Sequence, residues 1–130
     1  MTVMDTLAAE EERQRDAVAA LPPEQRKAYH AEFGRRLRDP DTYAALNWSL
    51  MFGIHHLYLR RWLRFVVDLV VSAVGVALLL SGNILLGCLV LAVMAVWELV
   101  DLARAQSTVR AYNNRLAAEI LADLGSPAKP

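Results

Sequence analysis

Between residues 65 and 97 the chain carries a single acidic or basic side chain, Asp68, while charged residues crowd both flanks. Two apolar runs, 65–80 and 84–100, are separated by Ser81-Gly82-Asn83. Small polar residues and a glycine there predict a turn, not a continuous helix. Crossing a ~30 Å hydrocarbon core takes about 20 helical residues. The runs reach that length if the helices occupy 62–80 and 84–103. The pattern therefore predicts a helical hairpin with both outer ends on one side of a bilayer.

Ahead of the hairpin the pattern changes twice. Residues 5–20 read as a polar helix capped by Asp5 or Thr6, with Leu7, Val18 and Leu21 too sparse for a strong core face. Leu21-Pro22-Pro23 stops it, and Pro23 can open a second helix over about 24–38. That helix carries Tyr29, Phe33 and Leu37 at helical spacing among Arg26, Lys27, Arg35, Arg36 and Arg38. Two readings stand side by side: a helix on an anionic membrane surface or a partner, and a solvated helix touching its own chain. Asp39-Pro40-Asp41 breaks the chain again, with Asp41 or Thr42 as the next cap. Segment 43–59 is apolar but weakened as a span by Asn47, Ser49, His55 and His56. As one helix it would align Ala45, Ser49, Gly53 and His56 on a close-packing stripe, and Tyr43, Leu46, Leu50, Ile54 and Leu57 on another face.

After the hairpin, Leu102, Ala105, Val109, Tyr112, Leu116, Ile120 and Leu124 recur at three- and four-residue steps, opposite Arg104, Arg110, Asn113 and Arg115. The second membrane helix is expected to run straight on to Gly125, either self-associating or packing on the N-terminal helices. Residues 126–130 read as a loose tail.

Charge then orients these elements. Lys plus Arg and Asp plus Glu both number 14, so no overall basic field points to nucleic acid. Arg60, Arg61 and Arg64 precede the hairpin, Arg104 and Arg110 follow it, and the turn at 81–83 is uncharged. The positive-inside rule puts both hairpin ends in the cytoplasm and the turn outside. The basic stretch before Tyr43 favours a segment 43–59 that enters the membrane without crossing it. The acidic start, with Glu10-Glu11-Glu12 and no early apolar core, does not read as a signal peptide. The expected fold class is thus an all-α membrane protein: a transmembrane helical hairpin, a preceding membrane-embedded or interfacial helix, and cytoplasmic N- and C-terminal helices. Its parts are 1–40 (polar and amphipathic helices), 41–103 (membrane domain, with apolar segments 43–59, 62–80 and 84–103) and 104–130 (helical extension and tail).

Chemistry is sparse. Cys88 is the single cysteine and reads as a small residue facing a helix neighbour. Asp68 and Glu98 are intramembrane acidic candidates at similar depth. They are read first as ion-pair partners, Asp68 with an Arg or His of the hinge, and second as a proton or cation path. Asp101 is level with Arg64 and is expected to pair with it or with Arg61. His55 and His56 are adjacent, so on a helix they diverge by about 100° and form a poor metal pair; no further ligand sits at usual spacing. No cofactor, metal or catalytic set is assigned, and an enzyme is not expected.

Gly53-Ile54-His55-His56-Leu57-Tyr58-Leu59, followed by Trp97-Glu98-Leu99-Val100-Asp101, resembles the TM-two domain family. There an apolar helix ends in Gly-x-His/Asp-Arg-Phe-Tyr-Leu-Gly and a second apolar segment ends in Trp-x-x-x-Asp. Gly53, His55, Tyr58, Leu59, Trp97 and Asp101 match. His56 stands where Arg is usual, Leu57 where Phe is usual and Arg60 where Gly is usual, and the intervening segment is longer. The resemblance covers about 43–103. It implies a membrane-embedded helical module and supplies no reaction. Physically the motif reads as a lock: Gly53 permits close approach, Tyr58 and Trp62 anchor at the interface, His55 pairs with a carboxylate such as Asp101, and Trp97 docks beside it, with Arg64 level. The expected role is an interaction or scaffold module of the inner (plasma) membrane, multi-pass, its termini cytoplasmic. Its partners would be the lipid bilayer, a second copy in a homo-oligomer or another membrane protein. The alternative is a subunit of an oligomeric ion channel or transporter using Asp68 and Glu98.

Overall fold

A computed structural model describes residues 2–49 and 53–125, and within them the chain is all helical. The helices are α1 (Val3–Ala19), α2 (Pro23–Arg36), α3 (Pro40–Ser49), α4 (Ile54–Tyr58), α5 (Trp62–Leu80), α6 (Ile84–Ala103) and α7 (Ala105–Gly125). They divide into two compact units, one of residues 1–38 and 107–130, the other of residues 39–106.

In the first unit, α1 starts at Thr2, not at the expected Asp5 or Thr6. Thr2 and Asp5 form a reciprocal capping box that satisfies two free N–H groups. Pro23 opens α2 as the first helical residue. Val18 of α1, Tyr29 of α2 and Leu116, Ala117 and Ile120 of α7 form the buried core, with Leu21 and Phe33 packed against it. Of the paired readings for α2 and α7, contact within the chain is therefore the one observed. The apolar positions of α1, sparse as they are, suffice because two other helices supply the rest. Polar clamps complete the unit. The Gln14 side chain donates to the Asn114 carbonyl at 2.9 Å, and Asn114 donates to the Leu7 carbonyl at 3.1 Å. Arg110 grips Glu11 through two bonds of 2.8 and 2.7 Å.

In the second unit, α5 and α6 are both long and apolar enough to cross a membrane, and they begin and end where the sequence places them. They pack as a hairpin with Ser81, Gly82 and Asn83 between them. The close approach needs Gly87: a Cβ there would lie 2.7 Å from Leu79 Cδ2 and 2.9 Å from the Leu79 backbone nitrogen. Small residues thus matter in the hairpin as well as at Gly53, which belonged to the expected 43–59 stripe. That stripe does not form, because α3 ends at Ser49 and Gly53 turns left-handed at φ 74 before α4. Leu50 and the tail 126–130 lie outside the described residues. Nor do α6 and α7 form one helix. The backbone breaks at Arg104 (φ −96, ψ 6), which leaves the α-helical basin between them.

Burial in this unit runs opposite to that of the first. The buried residues of α5 are Asp68, Ser72 and Gly75, and those of α6 are Gly87 and Glu98. Val66, Val70, Leu89, Val93 and Val96 are exposed. Cys88 is also exposed, not turned to a helix neighbour as expected.

Candidate functional site: a buried histidine–carboxylate cluster

Asp39, not Asp41 or Thr42, caps α3. Its carboxylate accepts from the Thr42 backbone N–H at 2.7 Å and from the Thr42 hydroxyl at 2.9 Å, with Pro40 as the first helical residue. The helix so fixed buries Tyr43 and Asn47, one turn apart. Gly53 precedes α4 as its N-cap. Its left-handed φ of 74° disfavours any side chain, and a Cβ would meet Asp68 Cβ at 2.9 Å. The five-residue α4 follows and closes in a Schellman arrangement: Arg61 N–H donates to the His56 carbonyl at 2.8 Å and Arg60 N–H to Leu57 at 2.9 Å. This puts Arg60 at the left-handed position, φ 57.

Both histidines of α4 are completely buried. His55 turns toward α6: its Nε2 lies 3.4 Å from Glu98 Oε2 and 3.3 Å from Asn47 Nδ2. Asn47 donates to Glu98 Oε2 at 3.1 Å, and the Tyr43 ring meets His55 edge-on at 5.1 Å. His56 turns toward α5: its Nε2 lies 3.0 Å from Asp68 Oδ2 and 3.5 Å from Asp101 Oδ2. Arg64 Nη2 donates to the same Asp101 oxygen at 3.2 Å, while its guanidinium lies 5.3 Å from the Trp97 ring centre.

Several expectations change here. His55 does not take Asp101 as its close partner; it takes Glu98, and His56 takes Asp101 and Asp68. The divergence of neighbouring helical residues is what allows this, since the His55 ring reaches Glu98 of α6 and the His56 ring lies between Asp68 of α5 and Asp101 of α6. Because those helices are packed together, the rings still lie 4.0 Å apart. His55, His56 and Asp101 consequently offer ligand atoms all within 4.8 Å of one another, which the sequence spacing argues against. Trp97 does not dock into the cluster. It is about half exposed and lies beneath Arg64. Tyr58 is held at the edge, its hydroxyl accepting from Asp39 N–H at 2.9 Å. Gly53, Arg64, Asp68, Glu98 and Asp101 are brought together. His56, Asn47 and Tyr43 were not singled out as partners; the one-turn spacing of Tyr43 and Asn47 was the available signal.

The electrostatics follow from burial. Loss of solvent holds the His55 imidazole down to about 4 and His56 down to about 3, so both rings are neutral near pH 7. Burial, reinforced by the Asp101 charge, pushes the Tyr43 hydroxyl up to about 12. Tyr43 OH, His55 Nδ1, both nitrogens of His56, Asp68 Oδ2 and Glu98 Oε1 are buried without a hydrogen-bond partner. His56 and Asp68 face each other at 3.0 Å without the alignment of a hydrogen bond.

In comparison with known proteins, the chain matches no family model, no curated protein sequence and no solved structure.

Proposed function

We propose that this is a small integral membrane protein of the inner-membrane type that serves as an interaction or scaffold module. Helices α5 and α6 cross the bilayer as a hairpin, and the unit of α1, α2 and most of α7 is the part offered to partners in the cytoplasm. The main support is the inverted burial of residues 39–106, where carboxylates and histidines lie inside and valines and leucines outside. Water penalises such a surface, and hydrocarbon does not. Arg60, Arg61 and Arg64 before the hairpin and Arg104 after it support cytoplasmic ends. The likeness to the TM-two signature stands as part of the same proposal.

The competing reading is a channel or transporter subunit lined by Asp68 and Glu98. Both side chains are buried within the one chain, against His56 and against Asn47 and His55. That placement favours an internal lock over a path between subunits. Liposomes holding the purified protein should show no ion flux above that of empty liposomes. Flux that Asp68→Asn abolishes would replace the scaffold reading with the channel one. In cells, a cysteine at Gly82→Cys should label from outside and one at Ala118→Cys only from the cytoplasm. Equal outside labelling of both would end the hairpin topology.

A further inference from the structure

The cluster of His55, His56 and Asp101, with Asp68 against His56, has the composition and spacing of a cation site. Two atoms bound to one tetrahedral ion at about 2.0–2.1 Å stand about 3.3 Å apart. His56 Nε2 lies 3.0 Å from Asp68 Oδ2 and 3.5 Å from Asp101 Oδ2, on either side of that value. The atoms offered by His55, His56 and Asp101 all fall within 4.8 Å of one another. Neither nitrogen of the fully buried His56 has a hydrogen-bond partner, and neither has Asp68 Oδ2. Buried polar atoms are rarely left so in a folded protein. Here the unpartnered atoms of two side chains face each other across the same small space.

We propose that His55, His56 and Asp101 hold one divalent first-row transition-metal ion of the zinc type, with Asp68 beside His56. Charge supports it. The Arg64 guanidinium pairs with Asp101, while Asp68 and Glu98 face the imidazoles of His56 and His55, so a cation among these groups would meet carboxylate oxygen on more than one side. Ligand type supports it as well. Imidazole nitrogen with carboxylate oxygen suits zinc and its neighbours, whereas calcium and magnesium take oxygen alone. The surroundings have the form of an outer shell. Glu98 and Asn47 lie beside the His55 imidazole, and Arg64 orients Asp101, as the partners of ligating groups do. The ion would tie α4 to α6, so its role is structural: it fastens the hairpin to the segment before it.

The test uses the full chain, without a polyhistidine tag, in detergent after chelator treatment. Titration with Co²⁺ should give visible d–d absorption saturating at one ion per chain, and Zn²⁺ should displace it. His56→Gln and Asp101→Asn should each weaken binding at least tenfold, while His30→Gln, in an exposed part of α2, should leave it unchanged. Should His56→Gln fail to fold, X-ray absorption at the zinc edge of the unaltered protein decides, because two imidazole ligands have a characteristic outer-shell scattering. Less than one ion per chain, binding indifferent to His56→Gln, or a zinc edge without imidazole scattering would each overturn the proposal.

Discussion

The core of the first unit and the two long helices of the second bury opposite kinds of residue. Residues 1–38 with 107–125 enclose valine, tyrosine, leucine, alanine and isoleucine, and their arginines and glutamates pair at the surface. Residues 39–106 enclose histidine, aspartate, glutamate and asparagine beside Tyr43 and Leu59, and expose many valines and leucines of two long helices. Both units are built of α-helices, and on the membrane reading proposed above the difference reflects the surroundings each would occupy. Where water is the solvent, apolar burial drives assembly and surface ion pairs contribute little. Where the solvent is apolar, packing and buried polar contacts have to hold the helices together.

The contrast can be broken most directly by adding one charge to each unit. Val93 is exposed at the middle of α6, and Ala118 is exposed on α7. Val93→Arg should reduce membrane integration by about 2.5–3.5 kcal/mol, whereas Ala118→Arg should change stability by no more than about 0.5 kcal/mol. Carbonate extraction and thermal unfolding in detergent measure the two. Equal, small effects would remove the distinction and place both units in water.

Packing in the hairpin is the next point of attack. Gly87→Ala forces a methyl group against Leu79, side chain and backbone, and should cost about 1–3 kcal/mol. Gly34→Ala on α2 meets nothing within 4 Å and should be neutral or slightly stabilising. Melting temperatures of the two variants in the same detergent give the comparison. No loss in Gly87→Ala would mean that the helices stand further apart than described.

A smaller change of opposite sign is expected at Arg60. A left-handed conformation costs a residue with a Cβ about 1–2 kcal/mol, so Arg60→Gly should stabilise the protein by about 1 kcal/mol, read as a rise in melting temperature. A fall would show that the arginine side chain contributes more than its backbone strain costs.

The smallest effect belongs to the first unit. Hydrogen bonds from Arg110 hold the Glu11 carboxyl below its ordinary value of 4.5. The pair's contribution is therefore complete above about pH 4.5 and disappears as pH falls through the lowered value. Both side chains are about a third exposed, so the loss should stay under about 1 kcal/mol. Acid titration of unfolding, compared between the unaltered chain and Glu11→Gln, should differ only above that window. Curves that coincide at every pH would show that the pair contributes nothing.

The spans of α5 and α6 were legible because length and continuous apolarity suffice to mark them. Pro23 and the pairing distance of Arg64 from Asp101 were legible for similar reasons, one from local backbone chemistry and the other from counting helical rise. The cluster was not. Its geometry depends on two left-handed residues, Gly53 and Arg60, and an arginine gives no sign that it will adopt that conformation. Treating 43–59 as one helix gave no reason for the two rings to meet the same carboxylates, whereas the short α4 sets His55 against Glu98 and His56 between Asp68 and Asp101. The break at Arg104 was equally silent, since no glycine or proline marks it.

The bonds that join the first and last helices have a consequence for how the chain is made. Gln14 meets Asn114, Glu11 meets Arg110 and Asn114 meets Leu7, pairs separated by 100, 99 and 107 residues. Val18 and Tyr29 leave the ribosome long before Leu116 and Ile120 exist to cover them. At roughly 5–20 residues per second, that delay lasts several seconds. Throughout it the early helices are an open, unfinished surface available to chaperones. Their closure by α7 comes only after the whole apolar hairpin has been synthesised. Completion of the first unit thus reports that the second has already been made.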